Sequence, residues 1–410
     1  MISGQYKGIR YAVRRSGNAV SYCSLGIRAG TRFENSFPSG TAHFTEHCLF
    51  KGTTHHSATT INSCLEKSGG DLNAYTTKEE IVLHATTLKE DLSRAVDLLL
   101  DIAFNATFPE DEIKVEKGVV LDEIASYKDS PADEIYDSFE EKLFKGSSLS
   151  RSILGTAESV NAITPALLRE YHDLHFIPSR MCLSIVSPED EKKVFGKIKR
   201  SLDKFLPLSP EIAVPAPASK GEKVDKNHFI ERENKDDNEA NCIIGGLAPS
   251  YYEDKNRFTT LLLSNMLGGP AAGSILGNIL REKHGWVYNV ECGYNTYSDS
   301  GMVWIMFGCE KGNVDKCKRV IMRELAKMRE KPISDRRLAA AKRQIMGQNA
   351  IGMENGEALC LAMNRQLLSF GSIMPDSRVK ELVNSVTAAD IKEIACEIFN
   401  PEALSVLEYR

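Results

Sequence analysis

The apolar positions of this chain switch between a period of two and a period of about 3.6 residues several times along its length. Tyr11-Ala12-Val13 and Tyr22-Cys23-Ser24-Leu25-Gly26-Ile27 are short β-type runs divided by a turn at Ser16-Gly17-Asn18. A helix is predicted over 59–68 and stops at Gly69-Gly70. The stretch 70–77 and the run Ile81 to Thr86 read as a hairpin. Leu92, Val96, Leu99 and Leu100 form one side of a helix predicted over 88–104. Ile113, Val120 and Ile124 mark a further helix, Ile135 to Phe144 another, and Met181 to Val186 a strand. Beyond residue 226 the same coarse order returns: strands at 241–246 and 303–307, helices at 258–267, 313–330, 334–348 and 389–398. Four prolines (207, 210, 215 and 217) and Lys220-Gly221-Glu222-Lys223 separate the two series. The expected organisation is an N-terminal half over 1–206, a linker over 207–226 and a C-terminal half over 227–410.

Composition changes this picture little. With 410 residues, 42% apolar and 26% charged, the chain is long enough for two to three ordinary globular domains. A net charge of −5 argues against nucleic acid as the main partner. The ten cysteines form no Cys-x-x-Cys pair, which argues against a cysteine-held metal and for reduced, buried thiols. No signal peptide opens the chain, and no apolar run approaches the ~20 residues of a membrane span. A cytoplasmic protein with no membrane partner is expected.

The candidate chemistry starts at His43-Phe44-Thr45-Glu46-His47. No Pro or Gly interrupts 41–50, so a helix is permitted. On it His43 and His47 stand one above the other and can share a metal ion. Glu46, three residues after His43, can reach a water at that ion without ligating it. Two imidazoles and a carboxylate base suit a hydrolytic zinc site, and the order is the inverse of His-Glu-x-x-His. A third ligand is needed from another element. Glu116 and Glu123, two turns apart on the helix marked by Ile113, Val120 and Ile124, offer one ligand and one supporting carboxylate.

The stretch from Gly40 to Gly52, followed by Glu116 to Pro131, resembles the pitrilysin family of zinc peptidases, the family of insulin-degrading enzyme and the mitochondrial processing peptidase. That family's pattern is His-x-x-Glu-His with a glutamate about 76 residues on, and Glu123 stands 76 residues after His47. The resemblance implies one Zn2+ per chain on His43, His47 and Glu123, with Glu46 as general base and Glu116 in support. It implies an α+β fold of two related α/β half-domains, each a mostly antiparallel sheet with helices packed on it, closing like a clamshell. Relatives bind an extended peptide along the strand that here contains Gly70, Leu72, Asn73 and Ala74; read without the family, the stretch is an ordinary edge hairpin.

The second half has no His-x-x-Glu-His. Its glycine-rich stretch 268–274 lacks the Gly-Lys-Ser/Thr of a nucleotide loop. Relatives carry an Arg and a Tyr seven apart, matching Arg281 and Tyr288, which there hold a substrate carbonyl and stabilise the oxyanion. Ile275 and Trp286 depart from the usual residues, which bears on substrate preference. The function implied is a zinc metalloendopeptidase acting on peptides or small unfolded polypeptides in an enclosed chamber. A homodimer is implied, with one chain's metal half completed by the C-terminal half of its partner. The alternative is a non-catalytic peptide-binding or assembly subunit; such relatives typically lose a zinc residue. His172 and His175 lack an accompanying carboxylate pattern, which argues against a second metal site, and His55 and His56, being adjacent, cannot share a face of regular structure and read as surface residues.

Overall fold

The computed structural model describes residues 1–206, 224, 227–235, 239–271 and 273–410. The linker expected over 207–226 falls, apart from Val224, outside the described residues. By contacts the chain divides into two compact units. One comprises residues 1–125, 151–219 and 350–374; the other comprises 126–150, 220–349 and 375–410.

The first unit is built on six strands: β1 (Ile2–Tyr6), β2 (Ile9–Arg15), β3 (Val20–Ile27), β4 (Asp71–Thr76), β5 (Ile81–Leu88) and β6 (Met181–Ser187). Their order is β1-β2-β6-β3-β5-β4, and every pairing is antiparallel except β2 with β6. All seven residues of β6 are buried, as expected for a central strand covered on both faces. One face packs against the helices Leu92–Asn105 and Glu191–Phe205, with Leu25, Ile27, Leu83, Leu99 and Ile185 in the core. The predicted helix at 88–104 begins at Leu92, because Lys89–Asp91 forms a single 3₁₀ turn.

The opposite face is covered by the helix Gly356–Phe370, which the apolar pattern did not single out. Small residues let it lie close. A Cβ at Gly26 would collide with the Asn364 side chain. Asn364 Nδ2 donates to Ser24 O at 2.9 Å, and Ser184 Oγ donates to Cys360 O at 2.7 Å. The contact is therefore half polar and fully paired, around Cys182, Val186, Met363 and Leu367.

The second unit holds β7 (Ile230–Glu233), β8 (Glu239–Ala248), β9 (Val287–Thr296), β10 (Gly301–Glu310) and β11 (Ser405–Tyr409), in the order β7-β11-β8-β10-β9. Only β7 with β11 is parallel. Helices Asp254–Gly268, Val314–Glu330 and Ala388–Ile398 bury one face. The other receives the helix Pro131–Leu143, whose Ile135, Phe139 and Leu143 meet Ile243, Leu407 and Tyr409. This helix starts four residues before the predicted Ile135, with Pro131 in its first turn, where a missing N–H costs nothing. All ten cysteines are free thiols, and only Cys396 is exposed.

Candidate metal centre

The helix Thr41–Leu49 begins at Gly40, whose φ of 87° is left-handed and whose missing Cβ leaves room for Leu154 O. No side chain of the N-cap residue closes this end. Instead Glu34, fully buried, accepts a hydrogen bond from Ala42 N at 2.9 Å, and its other oxygen lies 3.5 Å from Arg151 Nη1. A carboxylate there satisfies first-turn N–H groups and the positive end of the helix dipole. Burial nevertheless pushes the Glu34 carboxyl up to about 7.

Phe44, Cys48 and Leu49 turn into the core, which aims His43, Glu46 and His47 to the other side. The helix Glu110–Lys128 runs opposite and buries Ile113, Glu116, Val120 and Ile124. His43 Nε2 lies 3.8 Å and His47 Nε2 3.6 Å from the same Glu123 oxygen. The two rings sit 4.6 Å apart, inclined at 65°. Among the described residues these three form the one group of His, Cys, Asp and Glu side chains with metal-ligand proximity, all within 4.8 Å. Tetrahedral zinc with bonds of ~2.0–2.2 Å sets its ligand atoms roughly 3.3–3.5 Å apart, so small side-chain shifts bring these donors onto one ion.

The donors fit zinc in charge and protonation as well. Burial, reinforced by His47, pushes His43 down to about 3, so its imidazole is neutral and has a lone pair to give. His47 Nδ1 is 2.8 Å from Glu116 Oε1, a bond in which the carboxylate accepts and the ring keeps Nε2 free. Lys51 Nζ lies 2.5 Å from the other Glu116 oxygen. Glu46 points to the free edge of the sheet, where Thr76 Oγ1 of β4 donates to its Oε2 at 3.0 Å. Burial holds the Glu46 carboxyl above its ordinary range, while His47 and the Thr76 hydroxyl pull it down.

Among the described residues strand β4 pairs only with β5, so its outer backbone groups face away from the sheet. Leu72, Asn73 and Ala74 lie on it, directly after Gly70, with Leu72, Ala74 and Thr76 on the core side. Arg281 and Tyr288 belong to the second unit. Arg281 sits on the helical segment Gly277–Lys283, ion-paired to Glu282 at 3.0 Å, beside a small cavity (~110 Å³) lined by Ala271, Ser274 and Glu291. Tyr288 lies on β9 with 58% of its surface exposed.

Three of the other histidines have partners close by. His172 Nε2 lies 2.9 Å from Ala103 O, and its ring stacks on Phe176. His175 contacts Arg180. His55, 57% exposed, lies 2.5 Å from Asp101, an ion pair that sequence reasoning missed. Glu34, Lys51 and Thr76 were missed too. Lys51 alone had a local signal, one turn beyond His47; Thr76 shares the parity of Leu72 and Ala74.

Known proteins resemble the chain along its whole length. Residues 10–157 match the family model described as insulinase (peptidase family M16), and 162–345 the one described as the M16 inactive domain. An uncharacterised zinc protease of Rickettsia felis is 30% identical over 384 residues, 94% of this chain and 91% of its own length. One from Streptomyces coelicolor is 29% identical over 395 residues, 95% and 85% respectively. Among solved structures, a protease from Helicobacter pylori superposes with a TM-score of 0.90 at 19% identity, covering 100% of this chain and 99% of its own. A putative M16-like peptidase from Alicyclobacillus acidocaldarius does so with 0.88 at 18%, covering 100% and 97%. No helix among the described residues is long and apolar enough to cross a membrane.

Proposed function

The chain belongs to peptidase family M16, the insulinase family, and from that premise we propose that it is a zinc-dependent endopeptidase cutting peptides or small unfolded polypeptides. The observation that carries this reading is the convergence of His43, His47 and Glu123 beside a glutamate, Glu46, that is tied to the free edge strand β4.

His43, His47 and Glu123 hold one zinc ion per chain. Zinc in such a site supplies a Lewis acid that polarises a peptide carbonyl and brings the pKa of water toward ~7. Glu46 is the general base. It takes a proton from the attacking water and returns it to the leaving amine, and burial, which holds its carboxyl above the ordinary carboxylate range, makes it a stronger base. Thr76 holds one Glu46 oxygen and so restricts the orientation of the other. Glu116 accepts a hydrogen bond from His47 Nδ1–H and so keeps Nε2 toward the metal.

Substrate lies extended along β4, from Gly70 onward, paired with the backbone of Leu72, Asn73 and Ala74. Main-chain pairing of this kind admits many sequences. Arg281 holds a substrate carbonyl and Tyr288 stabilises the oxyanion, supplied by the C-terminal half of a second copy in a homodimer. Support for these two roles and for the dimer comes from the family resemblance of the Arg and Tyr spaced seven apart.

The test is cleavage of a diverse peptide library by purified protein, with zinc content measured on the wild type and on Glu46→Gln. Cleavage lost in the variant while zinc stays near one per chain is the expected result. Full cleavage by Glu46→Gln, or a folded wild type without zinc, overturns the reading. Zinc bound without any cleavage points instead to a peptide-binding subunit.

A further inference from the structure

The proposed zinc site places three carboxylates close together, those of Glu46, Glu116 and Glu123. Among the described residues, Lys51 is the one Lys or Arg side chain in ion-pair contact with any of them. Its Nζ lies 2.5 Å from Glu116 Oε2, while Glu116 Oε1 lies 2.8 Å from His47 Nδ1. The result is an unbroken chain of contacts from ammonium to carboxylate to imidazole, ending on the atom that faces Glu123.

The chain is built into the backbone. Lys51 follows the metal helix directly, one turn beyond His47, and its N–H donates to Cys48 O at 3.2 Å. Glu116 shows 8% of its side chain to solvent and Lys51 23%, so both ends of the ion pair are largely shielded from water. The neighbouring Lys117 cannot substitute, because its Nζ is turned away to donate to Asn161 O at 2.8 Å.

A buried carboxylate needs its charge and both oxygens satisfied. When His47 gives its Nε2 lone pair to a metal, its Nδ1–H engages only one Glu116 oxygen. The other would then be free to rotate, or the carboxylate would stand uncompensated beside Glu123. We infer that Lys51 is a positioning residue for the metal ligand His47, acting through Glu116. It pins Oε2 so that Oε1 stays aimed at Nδ1, and it balances the second negative charge that the site brings together. The inference rests on the zinc reading proposed above.

The experiment measures zinc affinity by competition with a chromogenic chelator at one fixed pH, with circular dichroism and urea midpoints to check folding. Lys51→Met keeps the length of the stem and removes the charge; it should raise the zinc Kd by about 10- to 100-fold, the usual range for an outer-shell partner. Lys51→Arg should restore affinity to within about threefold of wild type, a rescue that a packing role would not predict. Glu116→Gln should weaken binding as well, and the double variant with Lys51→Met should be no weaker than Glu116→Gln alone, because the two residues act in series. Lys51→Gln serves the same comparison if the Met variant folds poorly. Wild-type affinity in Lys51→Met, or losses that multiply in the double variant, would overturn the inference. A wild type that takes up no zinc removes the zinc reading itself, an outcome distinct from a failure of Lys51.

Discussion

Glu34 shows how a single residue can hold a site together at a cost in stability. Its carboxylate caps the helix that carries both histidines, yet it is fully buried and its pKa stands at about 7 against an ordinary 4.5. A folded-state pKa raised in this way favours the protonated form. The associated stability is present below pH ~4.5 and is lost as pH rises through ~7. Glu34→Gln keeps an acceptor for Ala42 N and removes the charge, so it should gain on wild type between pH 5 and pH 8 by about 2 kcal/mol. Urea unfolding of both proteins at the two pH values measures this; an unchanged gap would refute it. Glu46 is the contrasting case, since under the function proposed above its burial serves chemistry rather than capping. Glu46→Gln should lower kcat by roughly 10²- to 10⁴-fold, with zinc retained, in single-turnover peptide cleavage.

At the scale of elements, the contact of most consequence is the helix Gly356–Phe370 against β3 and β6. Gly26 permits its approach, and Asn364 and Ser184 bridge it to the sheet. Gly26→Val should drive the helix off its seat and cost about 2–3 kcal/mol, read as a lowered urea midpoint. Wild-type stability in that variant would mean the helix repacks freely. The same contact explains what the sequence hid. The spacing of His43, Glu46 and His47 within one helix, and of Glu116 and Glu123 within another, is local and obeys the 3.6-residue period, so both groups of candidates are legible in the sequence, while the choice of Glu123 over Glu116 as the third ligand comes from the family resemblance. The β4–β5 hairpin is legible for a similar reason. Gly356–Phe370 presents Cys360, Met363, Asn364 and Leu367 to a sheet coded more than 170 residues earlier. Its interface of Ser, Cys, Asn and Gly does not look like a core. Glu34, Lys51 and Thr76 were missed for the corresponding reason at residue scale, since their partners lie on other elements.

For the whole molecule, the three proposed metal ligands lie in the first compact unit, on two helices that an ion would tie together. Ligand bound only by the folded state stabilises it by about 2.7 kcal/mol at a free concentration of 100 times Kd. Removing zinc with a chelator should therefore lower the unfolding temperature of the first unit and leave the second unchanged. Differential scanning calorimetry, with and without chelator, would show this as the shift of one component; an equal shift of both would show that the units unfold as one. Glu46→Gln should retain the same response to chelator, because Glu46 is not a ligand.

The exchange of helices between the two stretches of sequence has a consequence for synthesis. The His-x-x-Glu-His motif leaves the ribosome early, but the sheet beside it stays bare on one face until residue 370 has emerged. The second sheet waits longer still, because β11 (Ser405–Tyr409) is one of its interior strands. A nascent chain thus carries His43, His47 and Glu123 well before the framework that would hold them in register. Vectorial synthesis therefore delays the framework of the candidate site until residue 370 has emerged, and a chain that stops short of that point exposes a bare face of the first sheet.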